Sequence, residues 1–276
     1  MIACVDSLPV HYEERGSGTP LLMLHGRNAD HRQMLADMEP LFAERTGWRR
    51  IYPDLPGMGR TPGAGWITRQ DQVLDIVTGF LDVVVPEQRF VAAGASYGGY
   101  IALGLIHRRR AMVDGLALIV PAVERDRARR RLPLRQVLVE DTDFLDALTP
   151  EESQAKDFFV VQSREALEAL RSYVEPAFEA ADHPFLDRLF RSRTFSFDVR
   201  DLDDALEVPA LVLAGRQDSL VGYLDAWTIL ERLPRATFAV LDRAGHALGI
   251  EQRSLFRSLT GEWLDRVREY IESARG

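Results

Sequence analysis

Two kinds of hydrophobic pattern alternate along the chain. Short apolar segments cover residues 21–24, 48–52, 90–93, 113–120, 209–215 and 237–241. Most of them are unbroken apolar runs, which are typical of strands buried on both faces of a parallel sheet. A looser alternation at 8–14 predicts an earlier strand. Apolar residues spaced three and four apart, which predict amphipathic helices, cover about 30–46, 69–84, 100–107, 224–233 and 254–271. The alternation predicts an α/β fold with a doubly wound, mostly parallel sheet and helices on both faces.

The segment 121–207 interrupts this alternation with short helix signals and no convincing strand. Thr149-Pro150 begins one signal, Ser163 can cap another, and His183-Pro184 precedes a third. We therefore predict a core of residues 1–120 and 208–276 with a helical insertion at 121–207. Near its start lies a basic cluster, which we interpret as a solvated helix face with an anion site as the alternative: Arg125, Arg127, Arg129, Arg130 and Arg131.

Composition narrows the class of protein. The 276 residues are 46% hydrophobic, enough for a sizeable core, and the formal net charge of −8 gives no reason to expect nucleic acid or an anionic membrane as partner. The single cysteine, Cys4, cannot form an internal disulfide. Neither a signal-peptide pattern nor an apolar run of roughly 20 residues is present. From the sequence we expect a cytoplasmic protein.

The candidate chemistry begins at Gly94-Ala95-Ser96-Tyr97-Gly98. A serine flanked by glycines, after a strand and before a helix, suits a sharp turn that exposes its hydroxyl. Such a hydroxyl needs a base, and the base needs an acid that orients it. Asp218 and His246 follow two later strands, and reactive groups collect at the carboxyl ends of parallel strands. The sequence therefore predicts Ser96 as nucleophile, His246 as base and Asp218 as orienting acid.

An oxyanion formed by attack of Ser96 needs preorganised donors, for which backbone N–H groups are suited. The N–H of Tyr97 lies at a predicted helix start, where amides lack helical partners. We predict the N–H of Arg27 as the second donor, with Gly26 allowing a close backbone approach. The Arg27 side chain either reaches a substrate carboxylate or is solvated.

Five motifs in the same order resemble those of the alpha/beta-hydrolase fold superfamily. They are His25-Gly26 as oxyanion loop, the D-x-x-G-x-G loop at 54–60, the elbow around Ser96, the acid turn at Asp218 and the histidine loop at His246. The resemblance implies that 121–207 is a cap domain above the active site. Two departures affect the substrate class: Ala95 stands where many esterases of the superfamily have histidine, and Arg27-Asn28 replace the usual residues after His-Gly.

We therefore expect a serine hydrolase that acts on a small-molecule ester or thioester with an apolar acyl part. The same residues also suit C–C bond hydrolysis, lyase or cyclase chemistry, and a binding protein on this scaffold is a third reading. Candidate pocket residues are His25, Gly26, Arg27, Tyr97, Tyr223, Phe144 and His183. The chemistry requires no metal or organic cofactor, the histidine and cysteine spacings indicate no metal site, and the oligomeric state is open.

Overall fold

The computed structural model of the protein describes residues 1–150, 152, 156, 158–201 and 204–275. In these ranges the strands are β1 (Ile2–Val5), β2 (Leu8–Arg15), β3 (Thr19–Leu24), β4 (Trp48–Pro53), β5 (Phe90–Ala95), β6 (Val113–Ile119), β7 (Val139–Glu140), β8 (Val161–Gln162), β9 (Ala210–Gly215) and β10 (Ala236–Leu241). The helices are α1 (His31–Met38), α2 (Gln70–Val84), α3 (Tyr97–Arg109), α4 (Thr142–Ala147), α5 (Arg164–Ala169), α6 (Glu175–Ala180), α7 (His183–Leu189), α8 (Tyr223–Trp227), α9 (Leu248–Glu251) and α10 (Arg253–Arg275).

Eight of the strands form one sheet in the order β1-β2-β4-β3-β5-β6-β9-β10. The two pairs β1/β2 and β2/β4 are antiparallel, and all other neighbours are parallel. The predicted α/β class with a mostly parallel sheet is therefore confirmed. The order brings the carboxyl ends of β5, β6, β9 and β10 to one edge of the sheet.

Alternate residues of the central strands enter two separate hydrophobic cores. Leu22 and Leu24 of β3 pack in the core that contains the apolar faces of α2 and α3. Leu21 and Met23 pack on the opposite face, in the core that contains α1 and α10. Because side chains of a strand point to alternate faces, a parallel strand needs apolar residues at successive positions, which is the pattern in the sequence.

Several predicted boundaries are corrected by the structure. The sequence pattern does not predict the strand β1. It pairs with β2, and the turn between the two strands consists of Asp6 and Ser7, which both have positive φ. The helix predicted over about 30–46 ends at Met38 and continues only as a 3₁₀ turn, since Pro40 has no N–H for a helical hydrogen bond. The sequence pattern also places Leu255 on the buried side of the last helix, but in α10 Leu255 is 48% exposed whereas its neighbour Phe256 is fully buried.

The segment between β6 and β9 contains α4 to α7 and, contrary to prediction, the paired two-residue strands β7 and β8. Ser163 caps α5 by accepting from the N–H of Ala166, as expected. The helix predicted from Thr149 falls partly outside the described residues. Thr149 and Glu152 do exchange the reciprocal hydrogen bonds of a capping box. The division of the chain into a core and a cap domain at 121 and 207 stays a prediction.

Candidate active site

Ser96 lies in a strained turn between β5 and α3. Its φ of 51° is in the left-handed region, which costs a residue other than glycine about 1–3 kcal/mol. The turn is held by its backbone, because the N–H of Ser96 donates to Ile119 and its carbonyl accepts from Ala122. A Cβ atom at Gly94 would lie 2.3 Å from the Gly98 carbonyl oxygen, which explains the glycine at this position.

The structure brings Ser96, His246 and Asp218 into one chain of hydrogen bonds. Nε2 of His246 lies 2.9 Å from Oγ of Ser96, and Nδ1 lies 2.8 Å from Oδ2 of Asp218. Oδ1 of Asp218 accepts from the backbone N–H groups of Leu220 and Val221, so the carboxylate cannot rotate freely. Although burial favours the neutral acid, the neighbouring His246 and these hydrogen bonds hold the pKa of Asp218 below its usual range.

A residue that sequence reasoning missed, Glu251 of α9, fixes the loop that carries His246. Its Oε2 accepts from the N–H of Gly245 at 2.6 Å, and its Oε1 accepts from Val160 at 2.5 Å and Val161 at 3.3 Å. The buried carboxylate thus joins the His246 loop to the segment at β8. Burial raises the pKa of Glu251 in spite of these donors.

His25 is fully buried below the predicted oxyanion loop instead of lining the cavity. Its Nε2 accepts from the N–H of Leu55 at 2.9 Å, so its Nδ1 carries the proton and donates to the Gly26 carbonyl at 2.8 Å. The N–H of Gly26 is engaged too, since it donates to Oε1 of Gln33. These bonds hold the Gly26–Arg27 backbone beside Ser96: a Cβ added to Gly26 would lie 3.5 Å from Cβ of Ser96.

A cavity of about 710 Å³ opens above Ser96. Gly26, Arg27, Tyr97 and His246 line it, as does Phe158, whose ring stands edge-on to His246 with 6.1 Å between the ring centroids. The N–H of Tyr97 lies at the first position of α3, where an amide has no partner within the helix. The Tyr97 hydroxyl donates to Gln70, which keeps the ring against the cavity wall.

Four predicted pocket residues lie outside the lining of this cavity. Besides His25, Phe144 packs in a small separate core with Phe159 and α5. His183 is on the surface of α7, where Nε2 bonds to the carbonyl of Phe178. Tyr223 is hydrogen-bonded to the side chain of Arg216. The aromatic residues that do line the cavity include Phe178 and Phe190, which helical spacing alone does not distinguish from core residues.

The basic cluster does not form one helix face, contrary to our interpretation, because only the single 3₁₀ turn Arg127–Arg129 is helical there. Arg125, Arg127 and Arg130 line the cavity, together with Arg27 and Arg193. Arg131 instead pairs with Asp225 at 2.9 Å. The cavity wall is therefore strongly basic, although we expected from the sequence a substrate with an apolar acyl part.

The side chains of His11, His31 and Asp54 form a buried cluster whose possible ligand atoms lie within 4.8 Å of one another. The cluster is a hydrogen-bond network: each carboxylate oxygen of Asp54 accepts one histidine Nδ1–H and one backbone N–H, from His31 or Arg60. The carboxylate therefore anchors the start of α1 to the loop after β4. Sequence spacing gave no sign of the cluster because its members come from three separate elements.

Residues 18–253 match the family model Hydrolase_4, described as serine aminopeptidase, S33. The chain therefore belongs to this family of alpha/beta hydrolases. It is similar in structure to an alpha/beta superfamily hydrolase from Oenococcus oeni PSU-1, with a TM-score of 0.89, 25% identity and coverage of 97% of this chain and 99% of that one.

Two curated relatives with named activities are similar over most of their length. The 2-hydroxymuconate semialdehyde hydrolase of Pseudomonas sp. (strain CF600) is 25% identical, with 91% of this chain and 88% of the relative covered. The pimeloyl-[acyl-carrier protein] methyl ester esterase of Legionella pneumophila (strain Paris) is 22% identical, with 92% and 99% covered. Among the described residues, no helix is long and apolar enough to cross a membrane.

Proposed function

We propose that this protein is a serine hydrolase that cleaves a carboxylic ester or thioester through an acyl-enzyme. The observation that carries the proposal is the hydrogen-bonded chain from Ser96 through His246 to Asp218, with distances of 2.9 and 2.8 Å. In this arrangement His246 takes the serine proton, and Asp218 stabilises the imidazolium that results.

The reaction proceeds in two halves. Oγ of Ser96 attacks the acyl carbon while its proton passes to Nε2 of His246, and the N–H groups of Arg27 and Tyr97 stabilise the oxyanion. When the tetrahedral intermediate collapses, the bond to the leaving oxygen or sulfur breaks and His246 protonates the alcohol or thiol. Water, deprotonated by His246, then attacks the acyl-enzyme, which releases the acid and returns the proton to Ser96.

The test is hydrolysis of a short p-nitrophenyl ester by the Ser96→Ala variant. Its turnover should fall by roughly 10⁴ to 10⁶ relative to wild type, because triad members act as a unit. The matched control is Ser273→Ala, since that exposed hydroxyl lies on α10 and donates to the carbonyl of Tyr270. Unchanged turnover by a folded Ser96→Ala protein would refute the proposal.

The relative named as a 2-hydroxymuconate semialdehyde hydrolase favours a second candidate, hydrolysis of a C–C bond with the same residues. Water would then add to a carbonyl, and the adjacent C–C bond would break to give an acid and a ketone. Assays of a β-diketone beside the ester panel distinguish the two. The second candidate would be supported if Ser96 reacts with a fluorophosphonate and the protein cleaves the diketone but hydrolyses no ester.

A further inference from the structure

Arg125 presents a positive charge to the cavity without a carboxylate partner. Its Nε donates to the carbonyl oxygen of Arg193 at 3.1 Å, and no ion pair among the described residues includes it. The guanidinium carbon lies 4.9 to 5.4 Å from the ring centroids of Tyr97, Tyr100 and Phe190. The rings hold the guanidinium in place and exclude water from its flanks, while burial lowers its pKa.

A second guanidinium lies next to it. Arg27 also stacks on the ring of Phe190, with its guanidinium carbon 4.1 Å from the centroid. It is paired with Asp187 at 3.5 Å, but that carboxylate is 74% exposed, so water screens the pair. Burial lowers the pKa of Arg125, and the charges of Arg130 and Arg27 lower it further. Two like charges thus share one ring at the cavity wall with little compensation.

The other ionised groups of the cavity do not supply the missing charge. Arg193 is paired with Asp126 at 2.8 Å, and Arg130 donates to the carbonyls of Glu124 and Leu220. Asp37 also lines the cavity, but the cations that act on its carboxyl are Arg253 and Arg257 of α10. Arg127 and Arg130 line the cavity too and, like Arg125, enter no ion pair among the described residues, but Arg127 is exposed. Of these three cations, Arg125 is the one that aromatic rings hold in the cavity wall.

We propose that Arg125, with Arg27 beside it, binds a carboxylate of the substrate, so that the substrate is an ester or thioester bearing a free acid group. A guanidinium presents two parallel N–H groups that match a carboxylate, and half-buried like charges are stabilised when an anion comes between them. Because several guanidinium groups of this wall lack an ion pair among the described residues, the planar two-oxygen match to Arg125 is what favours a carboxylate. The inference rests on the proposed function and specifies its substrate class.

The test measures binding without turnover. Ser96→Ala protein is titrated calorimetrically with the monomethyl esters of succinate, glutarate and adipate, and with the corresponding dimethyl esters. The half-acid of best-fitting length should bind roughly tenfold to a hundredfold more tightly than its diester, given the strength of charge-assisted hydrogen bonds. Adding Arg125→Gln should remove most of this preference, and Arg125→Lys should retain part of it.

The matched control is Arg164→Gln, which removes the same charge from an exposed i,i+4 pair on α5. It should leave the preference unchanged. Equal or undetectable binding of acid and diester, or a preference that survives Arg125→Gln, would overturn the subsite. The binding assay does not depend on the Ser96 hydroxyl, so it tests the subsite separately from the proposed reaction. If the half-acid is preferred but the wild type hydrolyses no ester, the carboxylate subsite is supported and the proposed ester hydrolysis is refuted.

Discussion

Replacement of Glu251 by glutamine is a demanding test of how the His246 loop is held. The carboxylate accepts three backbone N–H groups, two on Oε1 and one on Oε2. A glutamine amide has only one oxygen, so in either orientation its NH₂ group faces a buried N–H donor. Leaving one buried donor unsatisfied costs about 1–3 kcal/mol.

For a chain of this length that cost lowers Tm by roughly 2–4 °C per kcal/mol. The assay is urea unfolding at neutral pH, with the midpoint compared at equal slope. Because Gly245 is adjacent to His246, we also expect kcat for a p-nitrophenyl ester to fall roughly 10-fold to 100-fold, the effect of misplacing a catalytic group by about 1 Å.

Glu262→Gln makes the same chemical change in a surface pair with Arg266, where Glu262 is 52% exposed. It should alter stability by no more than about 0.5 kcal/mol. A Glu251→Gln protein that matches this control in both stability and kcat would show that the carboxylate does not fix the His246 loop.

Substitutions at Gly98, Asp37 and Asp218 change the turn after Ser96, the cavity wall and the carboxylate that contacts His246. Gly98→Ala should destabilise the fold by roughly 3 kcal/mol or more in urea unfolding, because the added Cβ would lie 2.1 Å from the Leu24 carbonyl oxygen. That oxygen belongs to the backbone of a central strand and cannot move aside as a side chain could. A variant as stable as the wild type would contradict this prediction. Burial raises the pKa of Asp37 to about 7, so the stability that its protonated form gives the fold is fully present only below the unfolded pKa of about 4 and is lost as pH rises from there through about 7. The stability of Asp37→Asn relative to wild type should therefore increase by on the order of 1–2 kcal/mol between pH 4 and pH 8, whereas a constant difference would be inconsistent. Asp218→Asn should lower kcat by about 10⁴, since the amide favours the wrong tautomer of His246, and a tenfold effect or less in steady-state kinetics would contradict the orienting role.

The sequence predicts the sheet and the meeting of Ser96, Asp218 and His246 because both depend on short-range patterns. Parallel strands covered on both faces must be apolar at successive positions, and their carboxyl ends share an edge. The positions of Ser96, Asp218 and His246 directly after their strands were therefore enough to predict that the three side chains meet.

Contacts between distant segments could not be predicted in this way. Glu251 meets Val160 across 91 positions, and nothing in either local sequence marks the partner. The direction of the Arg125 side chain depends on rings from α3 and from the end of α7. Because these rings are distant in the sequence, the run of arginines alone indicates a solvated face. By contrast, Pro40 is a local feature of the sequence from which the early end of the helix that begins at His31 could have been predicted.

An activated serine nucleophile at position 96 should react covalently with a fluorophosphonate. The most direct measurement is intact-mass spectrometry after incubation with a fluorophosphonate, followed by peptide mapping of any adduct. The geometry predicts one adduct on Ser96 in the wild type and none in a folded Ser96→Ala protein, because His246 Nε2 lies 2.9 Å from the hydroxyl. A wild type that remains unmodified, or an adduct that persists in Ser96→Ala, would contradict the role of Ser96 as an activated nucleophile.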